Sequence, residues 1–432
     1  PRINEEINEE WISDKTRYAC DGLKNQRLDA PFIKNNNKFE KISWSEAYKK
    51  IVEKISNTPS EKIAGLTGDM TNMETLFAIK EFFEKIIKSK NLDSRSNDCY
   101  VNSSDRKNYI FNSKIEGLEE SDLIILVGTN PRFEATILNS RIRKAYLKNK
   151  TTIYSVGDVG DLTYPYTILD NNTKVIKDIV SNKHKVSNKI INAKKPAIII
   201  GESVLKLNSS VYIFEELKKY LLENNKINNE WNSLNILSTN ASTVGAYDLG
   251  ILSSNNGKNT CFEKIKKNEL DVLFLFGQDN LKFKKSKEFI IYIGSHGDRG
   301  AEIADIILPG SAYTEQDGYF TNLEGKIQKA YKATYPPGEA KEDWQIINEL
   351  STVIRKKYLY NNKDELINTM QNYLKLHTEH RNFEIPNYDY VEENILIDEI
   401  DYYHSNSIAR ASKTMTDCKN ARVNFKKTGT EA

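Results

Sequence analysis

Residues 294–350 carry the clearest structural signal in this chain; they read GSHGDRGAEIADIILPGSAYTEQDGYFTNLEGKIQKAYKATYPPGEAKEDWQIINEL. An apolar stretch from Ile303 to Leu308 runs directly into Pro309-Gly310, which predicts a short strand that ends at a turn. A polar stretch follows, and Pro336-Pro337-Gly338 ends it. From Trp344 onwards the apolar residues have helical spacing, so we expect a helical region there.

Other short apolar segments recur along the chain and are separated by amphipathic ones. We predict strands at Lys62–Leu66, Asp122–Val127, Thr151–Val156, Ala197–Ile200, Asp271–Phe276 and Phe289–Ile293. Most of these segments stop at a glycine, and strands of this kind that alternate with helices indicate parallel sheets covered on both faces. The predicted fold class is therefore α/β, with parallel sheets in two lobes and a helical C-terminal extension.

Three segments between the strands have helix signals. Ser43 and Glu46 have the spacing of a capping box at the start of one helix. The segment Asn130–Leu147 begins with Asn-Pro, which predicts a cap followed by one continuous helix. Residues 211–221 carry an apolar stripe with helical spacing, which predicts a third helix.

A basic linker around Ile191–Pro196 is interpreted as the boundary between two α/β halves. Residues 377–408 are polar and rich in tyrosine, and we expect them to wrap over the surface of the protein, with a loose tail as the alternative. The predicted division is an extended N-terminal segment, a first lobe, a second lobe with a returning segment, and a helical and irregular C-terminal extension, at residues 1–40, 41–190, 191–335 and 336–432.

Length and charge exclude several classes of protein. A chain of 432 residues is long enough for roughly two or three domains. It has 62 Lys and Arg against 60 Asp and Glu, so it lacks the concentrated basic excess that nucleic-acid binding requires. No apolar run approaches the ~18 residues of a membrane span, so no direct membrane span is expected. Asn, Lys, Ile and Tyr are common, as in proteins encoded by AT-rich genomes such as many mitochondrial ones.

Carboxylates follow several predicted strands, at the edge where an α/β protein binds its ligands. Asp158 and Asp161 come after the third strand, and Glu202 and Asp279 come after two later ones. Glu134 lies where an anion would approach the start of its helix. These groups would repel the phosphates of a dinucleotide, so we predict no nucleotide site among them.

Gly294–Gly300 is the remaining candidate for a phosphate loop, with Arg299 as a possible partner of the phosphate. Its spacing differs from the G-x-G-x-x-G fingerprint, and a tight turn explains the glycines better. The basic run Lys282–Lys287 is interpreted as a solvated loop, with contact to an acidic partner as the alternative.

The four cysteines, Cys20, Cys99, Cys261 and Cys418, are far apart, and no pair has a C-x-x-C spacing. We expect them to be free, buried thiols in a reducing compartment. Of the five histidines, His377 and His380 are three residues apart, but no acidic residue or cysteine completes a metal motif around them. We therefore predict no catalytic, cofactor-binding or metal-ligating residue in this chain.

Four blocks of this sequence, in a fixed order, resemble a known family. The chain resembles the molybdopterin oxidoreductase superfamily, and within it the largest iron–sulfur subunit of respiratory complex I, NADH:quinone oxidoreductase. The blocks are Pro1–Lys34, Ile124–Leu147 with Asp161–Tyr164, Gly294–Leu350, and Asp401–Cys418. The resemblance implies a molybdopterin oxidoreductase-like fold that has lost its own cofactor.

One departure from the family pattern is large. The cysteine-rich region that holds iron–sulfur clusters in that subunit is missing here, and isolated cysteines cannot replace its clustered thiolates. Because the chain begins with Pro1, we expect its true start to have been removed, processed or encoded elsewhere. The resemblance then implies a split subunit, in which a separate cysteine-rich chain carries the clusters and contacts residues 1–40.

The resemblance implies a non-catalytic role in the matrix arm of mitochondrial complex I, at the inner membrane and beside other complex I subunits. Trp11, Trp44, Phe133 and the tyrosine-rich tail would be apolar anchors for those partners. An alternative is a molybdopterin-dependent oxidoreductase of formate-dehydrogenase type with Cys99 on the metal. Related formate dehydrogenases have a histidine after that ligand, whereas this chain has Tyr100. A third hypothesis is a nucleotide-binding protein that uses Gly294–Gly300.

Overall fold

The computed structural model describes residues 3–253, 256–377 and 381–425. Fourteen strands form in this part of the chain: β1 Phe32–Asn35, β2 Lys38–Lys41, β3 Ile63–Thr67, β4 Leu92–Asp93, β5 Leu123–Val127, β6 Thr152–Val156, β7 Thr167–Asp170, β8 Pro196–Gly201, β9 Leu234–Leu237, β10 Val272–Phe276, β11 Phe289–Gly294, β12 Ile306–Pro309, β13 Gly318–Thr321 and β14 Ile327–Ala330. The six internal strands predicted from the sequence are all present, each within a residue of its predicted ends.

Helices separate most of the strands. Within the described residues they are α1 Asp14–Tyr18, α2 Trp44–Ser56, α3 Met73–Glu81, α4 Pro131–Glu134, α5 Thr136–Asn149, α6 Lys174–Val180, α7 Lys185–Asn192, α8 Glu202–Leu205, α9 Ser210–Glu223, α10 Thr243–Asp248, α11 Thr260–Lys266, α12 Arg299–Ile303, α13 Asp343–Arg355, α14 Lys363–His377, α15 Ser407–Ala411 and α16 Lys413–Phe425. Short 3-10 turns lie at Ala19–Lys24, Ser60–Lys62, Arg106–Asn108 and Glu116–Glu120, and a π-helical turn at Phe82–Ile87 continues α3.

Two main sheets organise the protein. One has seven strands in the order β2-β1-β12-β11-β10-β3-β4, and the other has five in the order β7-β6-β5-β8-β9. All pairs in the five-stranded sheet are parallel, and only β1 pairs antiparallel with its neighbours in the larger one. Every residue of β3, β5 and β10 is buried, because helices cover both faces of the sheets. The predicted parallel α/β fold is therefore confirmed.

The two sheets do not follow the predicted sequence division. β3 pairs with β10 although more than two hundred residues separate them, and β8 pairs with β5 across the linker at residues 191–196. That linker therefore lies within one sheet and does not separate two sheets. Strand pairing is decided by packing in three dimensions, and composition along the chain carries little information about it.

Two local expectations are wrong. The strand expected from Ile303 begins only at Ile306, because Arg299–Ile303 forms helix α12. The helix expected over Asn130–Leu147 is broken at Ala135, whose backbone is extended with φ −149°. The Glu134 side chain turns back and accepts a hydrogen bond from the backbone N–H of Asn130, the N-cap residue, so this bond stabilises the start of α4.

The tyrosine-rich tail covers the five-stranded sheet unit, as its composition predicted. Ile395 donates its backbone N–H to Asn171 at 2.8 Å, and Asp398 donates its own to the Ser203 hydroxyl at 2.9 Å. Ile395 is buried in the core of this unit. Within the predicted C-terminal extension, α13 and α14 are helical and residues 381–406 contain no helix. The chain becomes helical again at α15 and α16.

Candidate functional site

A cleft of about 430 Å³ lies where the carboxyl ends of the two sheets meet. Its walls include Asp69 after β3, Asn280 after β10, Glu202 after β8 and Thr239 after β9. Residues of the C-terminal tail close its other side, Arg410 among them. This is the edge at which an α/β protein binds a ligand, so the cleft is the candidate site.

Carboxylates in the cleft are held by the protein's own donors. Glu202 accepts hydrogen bonds from the backbone N–H and the hydroxyl of Thr239, both at 3.0 Å. Glu134 accepts one from the Thr129 hydroxyl at 2.7 Å, in addition to its bond from Asn130. A dinucleotide phosphate at these loops would therefore face carboxyl oxygens that the protein holds in place.

The other strand-end acids are divided between the cleft and the surface. Asp279 is buried and accepts bonds from Gly300 N–H and from the Tyr292 hydroxyl, each at 2.9 Å. Asp158 and Asp161 are exposed, and Asp161 pairs with Arg132 outside the cleft. The sequence pattern alone could not separate these two groups, because all of them follow a strand.

The loop Gly294–Gly300 is packed against the N-terminal segment. Gly297 donates its N–H to Gln26 at 2.7 Å, and the buried ring of His296 contacts the carbonyl of Gly22 at 3.0 Å. A Cβ atom at Gly300 would lie 2.5 Å from the Tyr292 ring, so the third glycine serves close packing. With its N–H groups directed at protein acceptors, the loop is a structural turn, and Arg299 alone faces the cleft.

Cys99 lies beside a second cavity, of only about 40 Å³. Its thiol is buried with Sγ 3.6 Å from the carbonyl oxygen of Glu202, and burial raises the pKa of this thiol well above its usual range. A cavity of that size has room for about three water molecules. A pterin cofactor does not fit there, and a thiol held in its protonated form is a poor metal ligand.

The remaining sequence candidates lie apart from the cleft or are paired. Cys261 is buried, Cys418 is partly buried and Cys20 is exposed, so the expectation of buried thiols holds for Cys99 and Cys261. His377 stacks on Tyr373, and His380 lies outside the described residues. In the basic run at residues 282–287, Lys285 pairs with Asp305 at 2.6 Å. No group of His, Cys, Asp and Glu suited to a metal occurs within residues 3–253, 256–377 and 381–425.

Two features of the site escaped the sequence reasoning. Asp69 follows β3 at the centre of the cleft, and Arg410 reaches in from the C-terminal tail to bond Asp298 at 2.5 Å. The Gly-Asp pair at residues 68–69 follows a predicted strand and was a usable signal. Arg410 lies in the block Asp401–Cys418, but its partner Asp298 is more than a hundred residues away in sequence, so the pair could not be predicted.

The carboxyl groups of the interior predict an unusual dependence of stability on pH. Burial raises the pKa of Asp69, Glu134 and Asp343 to about 7 and that of Asp279 to about 6. The native state therefore keeps protons that the unfolded chain has released above about pH 4. We expect the contribution of these groups to the free energy of unfolding to fall as the pH rises from about 4 to about 7.

Replacing Asp69 with asparagine tests this expectation. Asp69 faces Glu202 and Asp279, so its neutral form is favoured. The variant should be more stable than the wild type at pH 8, on the order of 1 kcal/mol after allowance for water in the open cleft. Urea unfolding at several pH values measures the slope. Asp161→Asn, at an exposed carboxylate whose pKa is lowered, is the control and should not gain stability at pH 8; an unchanged slope in Asp69→Asn would refute the argument.

The chain matches two family models. One is described as molybdopterin oxidoreductase and covers residues 27–353. The other is described as NADH-ubiquinone oxidoreductase NDSU1/NuoG-like, 4Fe-4S domain, and covers residues 1–21.

No helix in the described part of the chain is long and apolar enough to cross a membrane.

Curated relatives resemble almost the whole chain. The NADH-ubiquinone oxidoreductase 75 kDa subunit of Reclinomonas americana is 38% identical over 97% of this chain and 64% of the relative. An NADH-quinone oxidoreductase subunit of Rickettsia bellii is 37% identical over 99% of this chain and 63% of the relative. A mitochondrial NADH-ubiquinone oxidoreductase 78 kDa subunit from Candida albicans is 41% identical over 83% of this chain and 49% of the relative. The chain thus spans less than two thirds of the length of these relatives.

Solved structures share the fold at low sequence identity. Acetylene hydratase from Pelobacter acetylenicus superposes with a TM-score of 0.55 over 96% of this chain and 74% of that one, at 12% identity. The formyltransferase/hydrolase complex of Methylorubrum extorquens gives a TM-score of 0.53 over 79% of this chain and 99% of the other, also at 12%. These likenesses concern the fold alone. Because the first family model covers most of the sequence, the chain belongs to the molybdopterin oxidoreductase family.

Proposed function

We propose that the chain is a non-catalytic structural part of the peripheral arm of mitochondrial NADH:ubiquinone oxidoreductase, on the matrix side of the inner membrane. The observation that carries the proposal is similarity along nearly the whole chain, 97%, to a subunit of that name. The candidate cleft supports it, because its strand-end carboxylates Glu134 and Glu202 already accept internal hydrogen bonds. Cys99 lies outside that cleft, enclosed beside the separate small cavity. A molybdopterin enzyme of formate-dehydrogenase type has no comparable support at this site.

The physical role would be to hold neighbouring parts of an electron-transfer assembly at fixed positions. Two sheets whose central strands are fully buried form a stiff body, since packed interiors deform little. The carboxyl ends of these sheets are linked by the chain's own side chains: the Ser242 hydroxyl, for example, donates to the Gly68 carbonyl at 2.7 Å. Electrons would then pass through clusters held by partner chains, and this chain would fix their positions.

The N-terminal segment supplies the surface for an iron–sulfur partner in this proposal. Ile3, Trp11 and Leu147 are 66%, 60% and 54% exposed, and Trp11 and Leu147 both line an open groove of about 720 Å³. Residues 1–21 match a 4Fe-4S domain model, so the groove lies beside sequence of iron–sulfur type. We propose that a cysteine-rich chain that carries the clusters packs here, with Trp11 as its main apolar contact.

The other predicted anchors are used within the chain. Trp44 donates its indole N–H to the Glu339 carbonyl at 3.2 Å and packs on Tyr48. The Arg422 guanidinium stacks over Phe133, with its central carbon 4.7 Å from the centroid of the phenyl ring. Of the three side chains proposed from the sequence as partner contacts, Trp11 is therefore the one that remains free for the role in the described structure.

Native electrophoresis tests the proposal directly. An affinity-tagged chain, extracted from its own cells with a mild detergent, should migrate in a band that oxidises NADH. Mass spectrometry of the band should find complex I subunits and a companion rich in cysteine, and elemental analysis should find iron without molybdenum or tungsten in the complex. A chain that always migrates apart from NADH dehydrogenase activity would rule the proposal out.

Replacing Cys99 with alanine separates the structural role from the catalytic alternative. The change removes one buried sulfur atom, so we expect a loss of about 1 kcal/mol in the free energy of unfolding and unchanged NADH oxidation by the complex. Cys261→Ala, at another fully buried thiol, is the matched control and should behave in the same way. If Cys99→Ala abolished activity while Cys261→Ala did not, Cys99 would have a redox role and the non-catalytic interpretation would be wrong.

A further inference from the structure

β13 and β14 form a two-stranded antiparallel sheet with a free edge. No third strand pairs with them among the described residues. Asn322 donates its N–H to the Lys326 carbonyl at 2.9 Å, so these two residues form a hydrogen-bonded pair at the end of the hairpin. Because such pairs alternate along an antiparallel ladder, the pairs that include Ile327 and Lys329 are the non-bonded ones. Their backbone N–H and C=O groups therefore point away from β13, along the open side of β14.

The chain that leaves β14 is exposed over five consecutive residues, 331–335. Tyr331 is 64% exposed and Tyr335 is 81% exposed. The Lys329 ammonium lies 5.0 Å from the centroid of the Tyr331 ring, and the Lys332 ammonium lies 4.3 Å from that of Tyr335. β14 and the segment that follows it thus present two lysines, Lys329 and Lys332, each held over an aromatic ring.

The ammonium groups of these two lysines form no ion pair within the part of the chain that the structure describes, although the backbone N–H of Lys332 donates to the Asp317 carboxylate at 2.9 Å. Lys326, by contrast, pairs with Glu6 at 2.5 Å. From Lys326 to Tyr335 the sequence KIQKAYKATY contains three basic residues and no acidic one. This surface combines an open strand edge, exposed tyrosines and ammonium groups without an ion-pair partner. Its backbone hydrogen-bonding groups, its apolar area and its positive charge are therefore all available to a binding partner.

We propose that this surface binds an extended acidic segment of a neighbouring protein, which adds to β14 as a third strand. Backbone groups of Ile327 and Lys329 would pair with the added strand, as in peptide recognition by strand addition. Carboxylates of the segment would meet the ammonium groups of Lys329 and Lys332, and Tyr331 and Tyr335 would supply rigid apolar contacts. The inference rests on the proposed function, since it assigns the chemistry of one neighbour in the assembly.

Binding of a short labelled peptide that alternates glutamate and valine tests the inference on the purified full chain. We expect fluorescence anisotropy to rise with the wild-type chain. The double substitution Lys329→Glu with Lys332→Glu should weaken binding by about tenfold or more, because it replaces two attractions with two repulsions. Ile327→Pro, which removes an outward N–H without breaking the bonds to β13, should also weaken it.

Lys49→Glu with Lys50→Glu is the matched control, because it reverses two exposed charges on α2, far along the chain from the hairpin. This variant should bind the peptide as the wild type does, and thermal unfolding should show that all variants fold. A peptide in which glutamine replaces glutamate should bind about tenfold more weakly, since it keeps the strand and loses the charge. The proposal is overturned if charge reversal at Lys329 and Lys332 leaves peptide binding unchanged.

Other anionic or edge-pairing partners are outcomes of the same experiment. Tighter binding to a thymidine oligonucleotide or to phosphatidylserine vesicles than to the acidic peptide would contradict the proposal. So would a dimer of the chain that disappears in Ile327→Pro, because a second copy would then occupy the edge. Failure of the charge-reversed chain to bind the peptide while it still joins the NADH-oxidising band supports the inference and leaves the proposed function intact; absence of the wild-type chain from that band affects only the proposed function.

Discussion

Replacing Arg95 with methionine is expected to lower the free energy of unfolding by about 3–5 kcal/mol, because it leaves a buried carboxylate without its counter-ion. The Arg95 and Asp93 side chains are 4% and 0% exposed, and the pair makes two hydrogen bonds, at 2.7 and 2.9 Å. The guanidinium also donates to the carbonyl oxygens of Cys99 and Gly257. One side chain therefore holds the end of β4 against two loops, and methionine fills the volume without replacing any of these bonds.

Asp98→Ala is the matched control, because it breaks an ion pair only a few residues away. Asp98 and Lys266 are 47% and 46% exposed, and such pairs contribute about 0–1 kcal/mol. Urea unfolding of both variants at pH 7 compares them directly. A double variant, Arg95→Met with Asp93→Asn, should be less destabilised than the sum of the single changes, since it also removes the unpaired charge. A loss for Arg95→Met no greater than that for Asp98→Ala would show that Asp93 finds solvation elsewhere.

Local signals in the sequence were sufficient for six internal strands of the two sheets. β5 and β10 are runs of apolar residues that stop at a glycine, and Gly128 and Gly277 have positive φ values of 60° and 63°. A residue with a side chain is strained in that conformation, so glycine marks the strand end by a physical requirement. The burial of Cys99 and the coverage by the tyrosine-rich tail were also predictable. Each depends on residue type and local composition, and neither depends on which strands pair.

Long-range pairing was not predictable in this way. Nothing in β3 indicates that its neighbour is β10, because any buried parallel strand offers the same apolar surface and hydrogen bonds. The break at Ala135 has no sequence signal either, because both Glu134 and Ala135 are good helix formers. The free edge of β14 was also hidden, since Lys329 and Tyr331 resemble any polar loop until the hairpin is seen.

Replacing Arg27 with methionine is expected to release the N-terminal segment and, with it, the chain's place in the assembly. The Arg27 guanidinium bonds both carboxylate oxygens of Glu315, at 2.5 and 2.6 Å, and the two side chains are 10% and 4% exposed. It also donates to the carbonyls of Leu23 and Ser295. Loss of one partner from a buried pair costs about 3–5 kcal/mol.

The substitution should also destabilise structure beyond Arg27, because the segment that Arg27 anchors packs against the C-terminal helices. The 3-10 turn Ala19–Lys24 packs against α15, and a Cβ at Gly22 would lie 2.0 Å from the Ile408 carbonyl oxygen. Asn25 donates to the Ala411 carbonyl at 3.1 Å. Hydrogen exchange in residues 19–28 and 407–415 should therefore accelerate together, whereas exchange in β5 and β10 should stay slow.

Lys326→Met is the control, because it removes an exposed ion pair to the N-terminal segment where Arg27→Met removes a buried one. The Lys326–Glu6 pair also joins the N-terminal segment to the region after β12, but its side chains are 46% and 58% exposed. Water already solvates both charges, so this substitution should alter neither exchange nor co-migration with NADH dehydrogenase activity. If Arg27→Met also left both unchanged, residues 1–40 would not depend on Glu315 for their position. The docking of a cluster-bearing partner at Trp11 would then rest on the groove's own contacts, in which Lys144 of α5 pairs with Glu9 and Arg141 donates to the Ile7 carbonyl at 3.3 Å.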